Sequence, residues 1–133
     1  MARILVLCID RDNDLGEKAG IKGPIIGERA CLSAAKQLLL VDPTESDGNA
    51  IYAAVKLKRS LPNSQVAVLT GARELGLKSD MAIKEQLEAV LRRTNAKEAI
   101  VVSDGTSDEV VLPVIQSSVP ITSVQRVVVR QSE

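Results

Sequence analysis

Aspartates follow two of the most apolar segments of this chain. Those after the first segment are Asp10, Asp12 and Asp14, and those after the second are Asp104 and Asp108. If both segments are parallel strands, their carboxyl ends meet at one edge of an α/β sheet, where ligands usually bind. Carboxylates at that edge suit a hard divalent cation. The pattern predicts one shared metal or phosphate site, with turn and helix capping by single aspartates as the alternative.

The composition disfavours several kinds of chemistry. The chain has no histidine, so Ser-His-Asp and Cys-His catalysis and imidazole zinc sites are excluded. Its 17 basic and 17 acidic residues balance, no polybasic run occurs, and Tyr52 is the only aromatic residue. These features disfavour nucleic-acid binding, which uses positive patches and aromatic stacking. Catalysis would have to use carboxylates, lysines or hydroxyls.

The two cysteines fit buried structural positions. Cys8 lies in an apolar strand pattern, and Cys31 lies among small residues of a predicted helix. Free thiols of this kind are typical of a reducing compartment. The sequence has no stretch of about 20 apolar residues and leads directly into a core strand. We therefore expect a soluble, cytoplasmic protein.

Alternating strand and helix patterns set the predicted fold. The predicted strands are 4–9, 65–70, 99–103 and 124–130. The predicted helices begin near Glu28, Asp47, Ser79 and Ser107. Such alternation gives right-handed crossovers and a doubly wound sheet. We predict one domain over residues 1–133, an α/β three-layer Rossmann-like fold whose mainly parallel sheet has four or five strands and helices on both faces.

Local features refine this outline. Four glycines and a proline predict a long loop or small flap over 14–27. Asp47 and Ser79 are of the types that cap helices, so we predict both as N-caps. Asp47, and Asp42 before it, are also further candidates for the acidic site. Pro113 predicts a break or bend in the last helix.

The acidic clusters resemble those of the haloacid-dehalogenase-type phosphatases. In that superfamily one apolar strand ends in Asp-x-Asp, as at Asp10 and Asp12, and a later strand is followed by two acids, as at Asp104 and Asp108. The resemblance implies that these four aspartates bind Mg²⁺. It also implies that Asp10 attacks phosphorus and that Asp12 is the general acid for the leaving group.

Three further positions extend the same resemblance. Thr70 follows an apolar strand, as the phosphate-binding hydroxyl of the superfamily does, and Lys78 precedes a helix, as its lysine does. Ser103 lies directly before the second acidic cluster. The resemblance implies that these three residues bind a phosphate-containing small ligand.

Five segments also resemble an uncharacterised archaeal family, the domain of unknown function DUF373. They are 7–16, 18–24, 42–47, 102–105 and 127–133. This resemblance spans nearly the whole chain. It implies that the chain is the cytosolic domain of a longer protein that continues into membrane-spanning helices, and it implies no activity.

Three functional hypotheses follow. The main one is a Rossmann-like domain that binds a phosphate-containing small ligand through Mg²⁺, with phosphatase-type chemistry as its sharper form. The second is a non-catalytic regulatory domain that senses a ligand or docks a partner for a membrane portion of the same polypeptide. The third is a homodimerisation module in which the strand 124–130 extends the sheet across two chains, unless Arg126 and Arg130 protect that edge.

Overall fold

Five strands form the middle layer of the computed structural model, which describes residues 2–127 except the side chains of residues 106 and 107. They are β1 (Ile4–Asp10), β2 (Ile25–Ile26), β3 (Ser64–Thr70), β4 (Glu98–Ser103) and β5 (Ile121–Arg126). Their order in the sheet is β2-β3-β1-β4-β5. All neighbours are parallel except β2, which runs antiparallel to β3. The predicted α/β class and mainly parallel sheet are confirmed.

Helices cover both faces of this sheet. They are α1 (Asp14–Ala19), α2 (Glu28–Val41), α3 (Ser46–Ser60), α4 (Leu77–Thr94), α5 (Thr106–Glu109) and α6 (Leu112–Gln116). On one face, Leu38 of α2 and Ile51 of α3 belong to a core that includes Val66. On the other face, Leu87 of α4 and Ile115 of α6 belong to a second core. The predicted three layers are confirmed.

The central strand, β1, places the first acidic cluster in the middle of one sheet edge. Six of its seven residues are buried, as expected for a strand that is covered on both faces. Asp10 lies opposite Thr70 of β3. On the other side Cys8 lies opposite Val102 of β4, and Asp10 and Asp104 each follow that pair by two positions. Both acidic clusters therefore lie at the same edge.

Residues 14–27 contain more regular structure than the predicted loop. Asn13 adopts a left-handed conformation with φ 61° and accepts a hydrogen bond from the amide of Gly16, which turns the chain from β1 into α1. Gly20, also left-handed, ends this helix. The short β2 then pairs with β3. The loop prediction was wrong for α1 and β2.

Asp47 and Ser79 are not N-caps, so both of these predictions were wrong. The N-cap position of α3 is Glu45, and Asp47 lies in the first turn with its side chain buried. Ser79 lies inside α4, where its hydroxyl donates to the carbonyl of Arg11 at 2.6 Å and accepts from the amide of Ala72 at 3.2 Å. Tertiary contacts have replaced capping at both positions.

The C-terminal elements confirm one prediction and correct another. The predicted break in the last helix near Pro113 is confirmed, because this helix is two short helices, α5 and α6, and the break between them precedes the proline. This proline lies in the first turn of α6, where its missing N–H leaves no helical hydrogen bond unmade. The edge strand β5 begins at Ile121 instead of Val124. Of the predicted strand, positions 128–130 lie outside the described residues.

Candidate metal centre

Six aspartates form two groups at the carboxyl edge of the sheet, and one residue belongs to both. The first group is Asp10, Asp12, Asp14 and Asp47. The second group is Asp47, Asp104 and Asp108. In each group the ligand oxygens lie within 4.8 Å of one another. The structure therefore brings together all four predicted metal ligands, through Asp47 of α3; we call these six residues the carboxylate centre.

Backbone amides fix the carboxylate of Asp10. Its Oδ1 accepts from the amide of Asp14 at 2.9 Å, and its Oδ2 accepts from the amide of Leu15 at 2.8 Å. The side chain is 1% exposed. These amides begin α1, so the carboxylate and the helix stabilise each other. The backbone of α1 therefore holds the carboxylate of Asp10 in one orientation.

Burial raises the pKa of four carboxyl groups in the centre, among them that of Asp14. It raises the pKa of Asp10 to about 7, although the two backbone amides act in the opposite direction. Burial, followed by repulsion from Asp10, raises the pKa of Asp47 far above its usual range. Burial and the neighbouring Asp104 raise the pKa of Asp108 to about 9. Without a cation, the centre keeps protons at neutral pH.

Asp104 remains the charged member of the second group. Burial acts to raise its pKa, but hydrogen bonds with Asp108 and Ser46 outweigh this and lower it. The hydroxyl of Ser46, the first residue of α3, donates to Oδ2 of Asp104 at 2.5 Å. The N-terminus of α3 is thereby joined to the loop after β4.

Thr70 and Lys78, which were predicted to bind the ligand, line two neighbouring clefts. Thr70 accepts from the amide of Gly23 at 3.2 Å, and its cleft has a volume of about 380 Å³. Lys78 is 71% exposed, lies 3.9 Å from Glu74, and lines a cleft of about 650 Å³. Asn13 borders both clefts. Neither side chain belongs to the carboxylate centre, and their ligand-binding roles stay predictions.

Ser103, the third predicted ligand-binding residue, braces the loop that carries the second acidic cluster. Its hydroxyl donates to the carbonyl of Gly105 at 2.7 Å and accepts from the amide of the same residue at 3.1 Å. The side chain is buried. These contacts stabilise the loop after β4, and the ligand-binding role of Ser103 stays a prediction.

The cysteines and Asp42 stay outside the centre. Cys8 and Cys31 are both free and buried, as predicted. The thiol of Cys8 donates to the carbonyl of Ala50 at 3.2 Å, and burial raises the pKa of both thiols. Asp42 forms an ion pair with Lys18 at 2.9 Å. Of the two further acidic candidates, Asp47 belongs to the carboxylate centre, whereas Asp42 pairs with Lys18.

Sequence reasoning placed Asp14 in the first acidic cluster without assigning it as a metal ligand, and it gave Asp47 mainly a capping role. A signal for Asp47 was available in the order of elements. A helix that leads into a parallel strand runs antiparallel to it, so the helix begins at the carboxyl edge of the sheet. Because α3 precedes β3, an acid in its first turn lies beside the strand ends.

Comparison with known proteins identifies the family. The model of the domain of unknown function DUF373 matches residues 3–133. The chain belongs to this family. It is 50% identical over 136 residues to an uncharacterized protein of Archaeoglobus fulgidus. It is 38% identical over 134 residues to the uncharacterized protein MJ1032 of Methanocaldococcus jannaschii. No solved structure matches the chain.

These archaeal relatives are longer than the chain described here. The first alignment covers 99% of this chain and 40% of the relative, and the second covers 97% and 37%. The chain therefore spans less than half of the length of each of these proteins. Within residues 2–127, no helix combines the length and apolar character that crossing a membrane requires. The attached membrane portion and the similarity to haloacid-dehalogenase-type phosphatases stay predictions.

Proposed function

We propose that this DUF373 domain binds a divalent cation, with Mg²⁺ as the first candidate, and through it a phosphate-containing small ligand. The observation that supports this proposal is the convergence of six aspartates from three segments of the chain on one edge of the sheet. Carboxylates gathered in this way repel one another unless a cation or protons neutralise them. A hard divalent cation, which prefers oxygen ligands, would neutralise these carboxylates.

Lys18 follows the first acidic group by only four positions but does not pair with it. Lys18 of α1 directs its ammonium group to Asp42 and Glu45 instead. A bound cation would carry positive charge to the centre and leave open coordination positions for phosphate oxygens.

The contacts of Asp10 favour ligand binding over phosphoryl transfer to this residue. A nucleophilic carboxylate must present one oxygen to the phosphorus atom. Both oxygens of Asp10 accept hydrogen bonds from backbone amides, and the side chain is almost fully buried. The remaining lone pairs suit a metal ion better than a ligand atom. The predicted roles of Asp10 as nucleophile and Asp12 as general acid are the sharper form of the proposal, and phosphate release tests them.

Calorimetric titration of a mixture of nucleotides and sugar phosphates tests the proposal, with and without Mg²⁺. We expect saturable binding by the wild type only when Mg²⁺ is present, and no binding by the Asp10→Asn/Asp104→Asn variant. Glu85→Gln is the matched control, because this exposed residue of α4 lies outside the centre. Equal binding with and without Mg²⁺ would refute the metal-dependent site.

A regulatory domain is the second candidate, and the coverage of the relatives favours it. More than half of each relative lies outside the part that this chain matches, so the ligand can act as a signal for the rest of the protein, including the predicted membrane portion. Turnover separates the two candidates. A domain that binds ligand with Mg²⁺ but releases no phosphate from a broad substrate panel is a sensor, and sustained phosphate release would identify an enzyme.

Dimerisation is a third candidate because β5 is an edge strand. Val124 in this strand is 38% exposed, and an unpaired edge can continue the sheet into a second chain. Arg126 pairs instead with Glu109 at 2.8 Å within the same chain. Sedimentation equilibrium at high concentration tests this candidate, and a monomer at all concentrations would end it.

A further inference from the structure

We infer that the organic part of the ligand lies in a groove between α1 and α4, and that the ligand is a sugar phosphate and not a nucleotide. This inference rests on the proposed function, because it concerns the phosphate-containing small ligand proposed there. Two clefts of about 650 Å³ and about 380 Å³ form the groove, since Asn13, Glu17 and Gly71 line both of them. Clefts of about 300–1,000 Å³ are typical of small-molecule sites.

The groove begins beside the carboxylate centre. Asn13 lies in the sequence between two members of the centre, Asp12 and Asp14. Gly71 follows β3, and its amide donates to the carbonyl of Asp10 at 2.8 Å. A phosphate group held by a cation at the centre would therefore carry its organic substituent directly into the groove.

Short residues set the width of the groove. On the α4 side, Lys78, Ala82 and Gln86 line it at four-residue spacing, which places them on one face of the helix. On the α1 side, Gly16 and Gly20 line it without side chains. Ala82 separates the longer side chains of Lys78 and Gln86, so these two residues can contact opposite ends of one ligand.

The groove presents charged groups to a ligand. Its lining includes three cations and two anions, which are Lys22, Arg73, Lys78, Glu17 and Glu74. The ion pairs among them are long, since Arg73 lies 3.5 Å from Glu17 and Lys78 lies 3.9 Å from Glu74. Exposed pairs of this kind contribute little stability. The hydroxyl groups and the phosphate of a sugar phosphate would replace them at little cost.

The groove offers no aromatic surface for a nucleobase. Proteins commonly hold bases by stacking them on aromatic side chains. Tyr52, the only aromatic residue of the chain, lies on α3 and lines neither cleft. Within residues 2–127, the apolar side chains of the lining are those of Ile21, Ala72 and Ala82. A charged lining without an aromatic platform favours a sugar over a nucleoside.

Calorimetric titration in Mg²⁺ with inorganic phosphate, ribose 5-phosphate, glucose 6-phosphate and adenosine 5′-monophosphate tests the inference. We expect the wild type to bind at least one sugar phosphate about tenfold more tightly than inorganic phosphate, because one hydrogen bond to a charged group is worth about that much. Adenosine 5′-monophosphate adds a base to ribose 5-phosphate. It should bind no more tightly than ribose 5-phosphate.

Two double variants test where the sugar lies. Arg73→Gln/Lys78→Gln should lose the preference for the sugar phosphate over inorganic phosphate, since both side chains line the groove. Lys84→Gln/Arg92→Gln is the matched control. These two exposed cations also lie on α4 but line a different cleft, so this variant should keep the preference.

Each contrary result overturns a stated part of the inference. Equal affinities for inorganic phosphate and both sugar phosphates would overturn the groove and leave the proposed function standing. Tighter binding of adenosine 5′-monophosphate than of ribose 5-phosphate would overturn the ligand class. An unchanged preference in Arg73→Gln/Lys78→Gln would overturn the placement of the sugar. Absence of binding by all four compounds would overturn both the inference and the proposed function.

Discussion

Raising the pH from about 5 to about 8 should destabilise the metal-free protein, the opposite of ordinary acid denaturation. Burial raises the pKa of Asp10 from 3.8 to about 7 and also raises the pKa of Asp47 and Asp108. Over this range the folded state binds protons that the unfolded state has released. The resulting stabilisation is complete below the unfolded pKa and disappears as the pH rises through the folded pKa.

The magnitude follows from Asp10 alone. With a folded pKa of about 7 against 3.8 in the unfolded chain, linkage gives a loss of about 2–3 kcal/mol between about pH 5 and about pH 8. For 133 residues this is a fall of about 8 °C in Tm, at about 3 °C per kcal/mol. Asp42, whose pKa is lowered to about 2 by Lys18, does not oppose it, because its contribution is already complete by about pH 5.

A bound cation should reverse this trend. Mg²⁺ at about 100 times its Kd adds about 2.7 kcal/mol to the free energy of unfolding. The gain should be larger at pH 8 than at pH 5, because protons compete with the metal for the carboxylates. Thermal melts across this pH range, with EDTA or with Mg²⁺, measure both effects. Asp10→Asn should flatten the metal-free slope. A metal-free Tm that rises from pH 5 to pH 8 would refute the reasoning.

Two further predictions concern packing around the centre. Gly71→Ala should lower the free energy of unfolding by about 1–3 kcal/mol in urea melts, because a Cβ there would collide with the carbonyl of Arg11. Gly105→Ala is its control, because open space surrounds that position; equal losses would contradict the packing argument. Cys8 and Cys31 should not react with a thiol reagent at neutral pH until the protein unfolds, because burial raises both pKa values. Rapid labelling of folded protein would show that these thiols are accessible.

The central part of the fold could be predicted because its signals are local. The apolar run of β1 required burial on both faces, and the acids after β1 and β4 then had to share one sheet edge. Asp10 and Asp104 follow from this argument without coordinates. The ends of α2 were likewise predictable, because Glu28 follows a glycine and Pro43 prevents continuation of the helix.

The features that the sequence did not predict depend on tertiary contacts. The six-residue α1 contains a glycine and gains its first hydrogen bonds by donating amides to Asp10, so its own sequence gives a weak signal. Asp47 is of a residue type that often caps helices, but it is the second residue of α3. Its carboxylate lies with the other aspartates at the sheet edge. A capping preference could not reveal that five other carboxylates surround the same point.

Anomalous diffraction from crystals grown with Mn²⁺ would test the central claim most directly, because it shows where the bound ions lie. We predict anomalous peaks within about 2.0–2.6 Å of the carboxylate oxygens of Asp10, Asp47 and Asp104, and their absence in crystals of Asp47→Asn. Crystals saturated with Mn²⁺ that show no peak at the carboxylate centre would contradict the account, since its carboxylates would then carry protons where we have placed a metal.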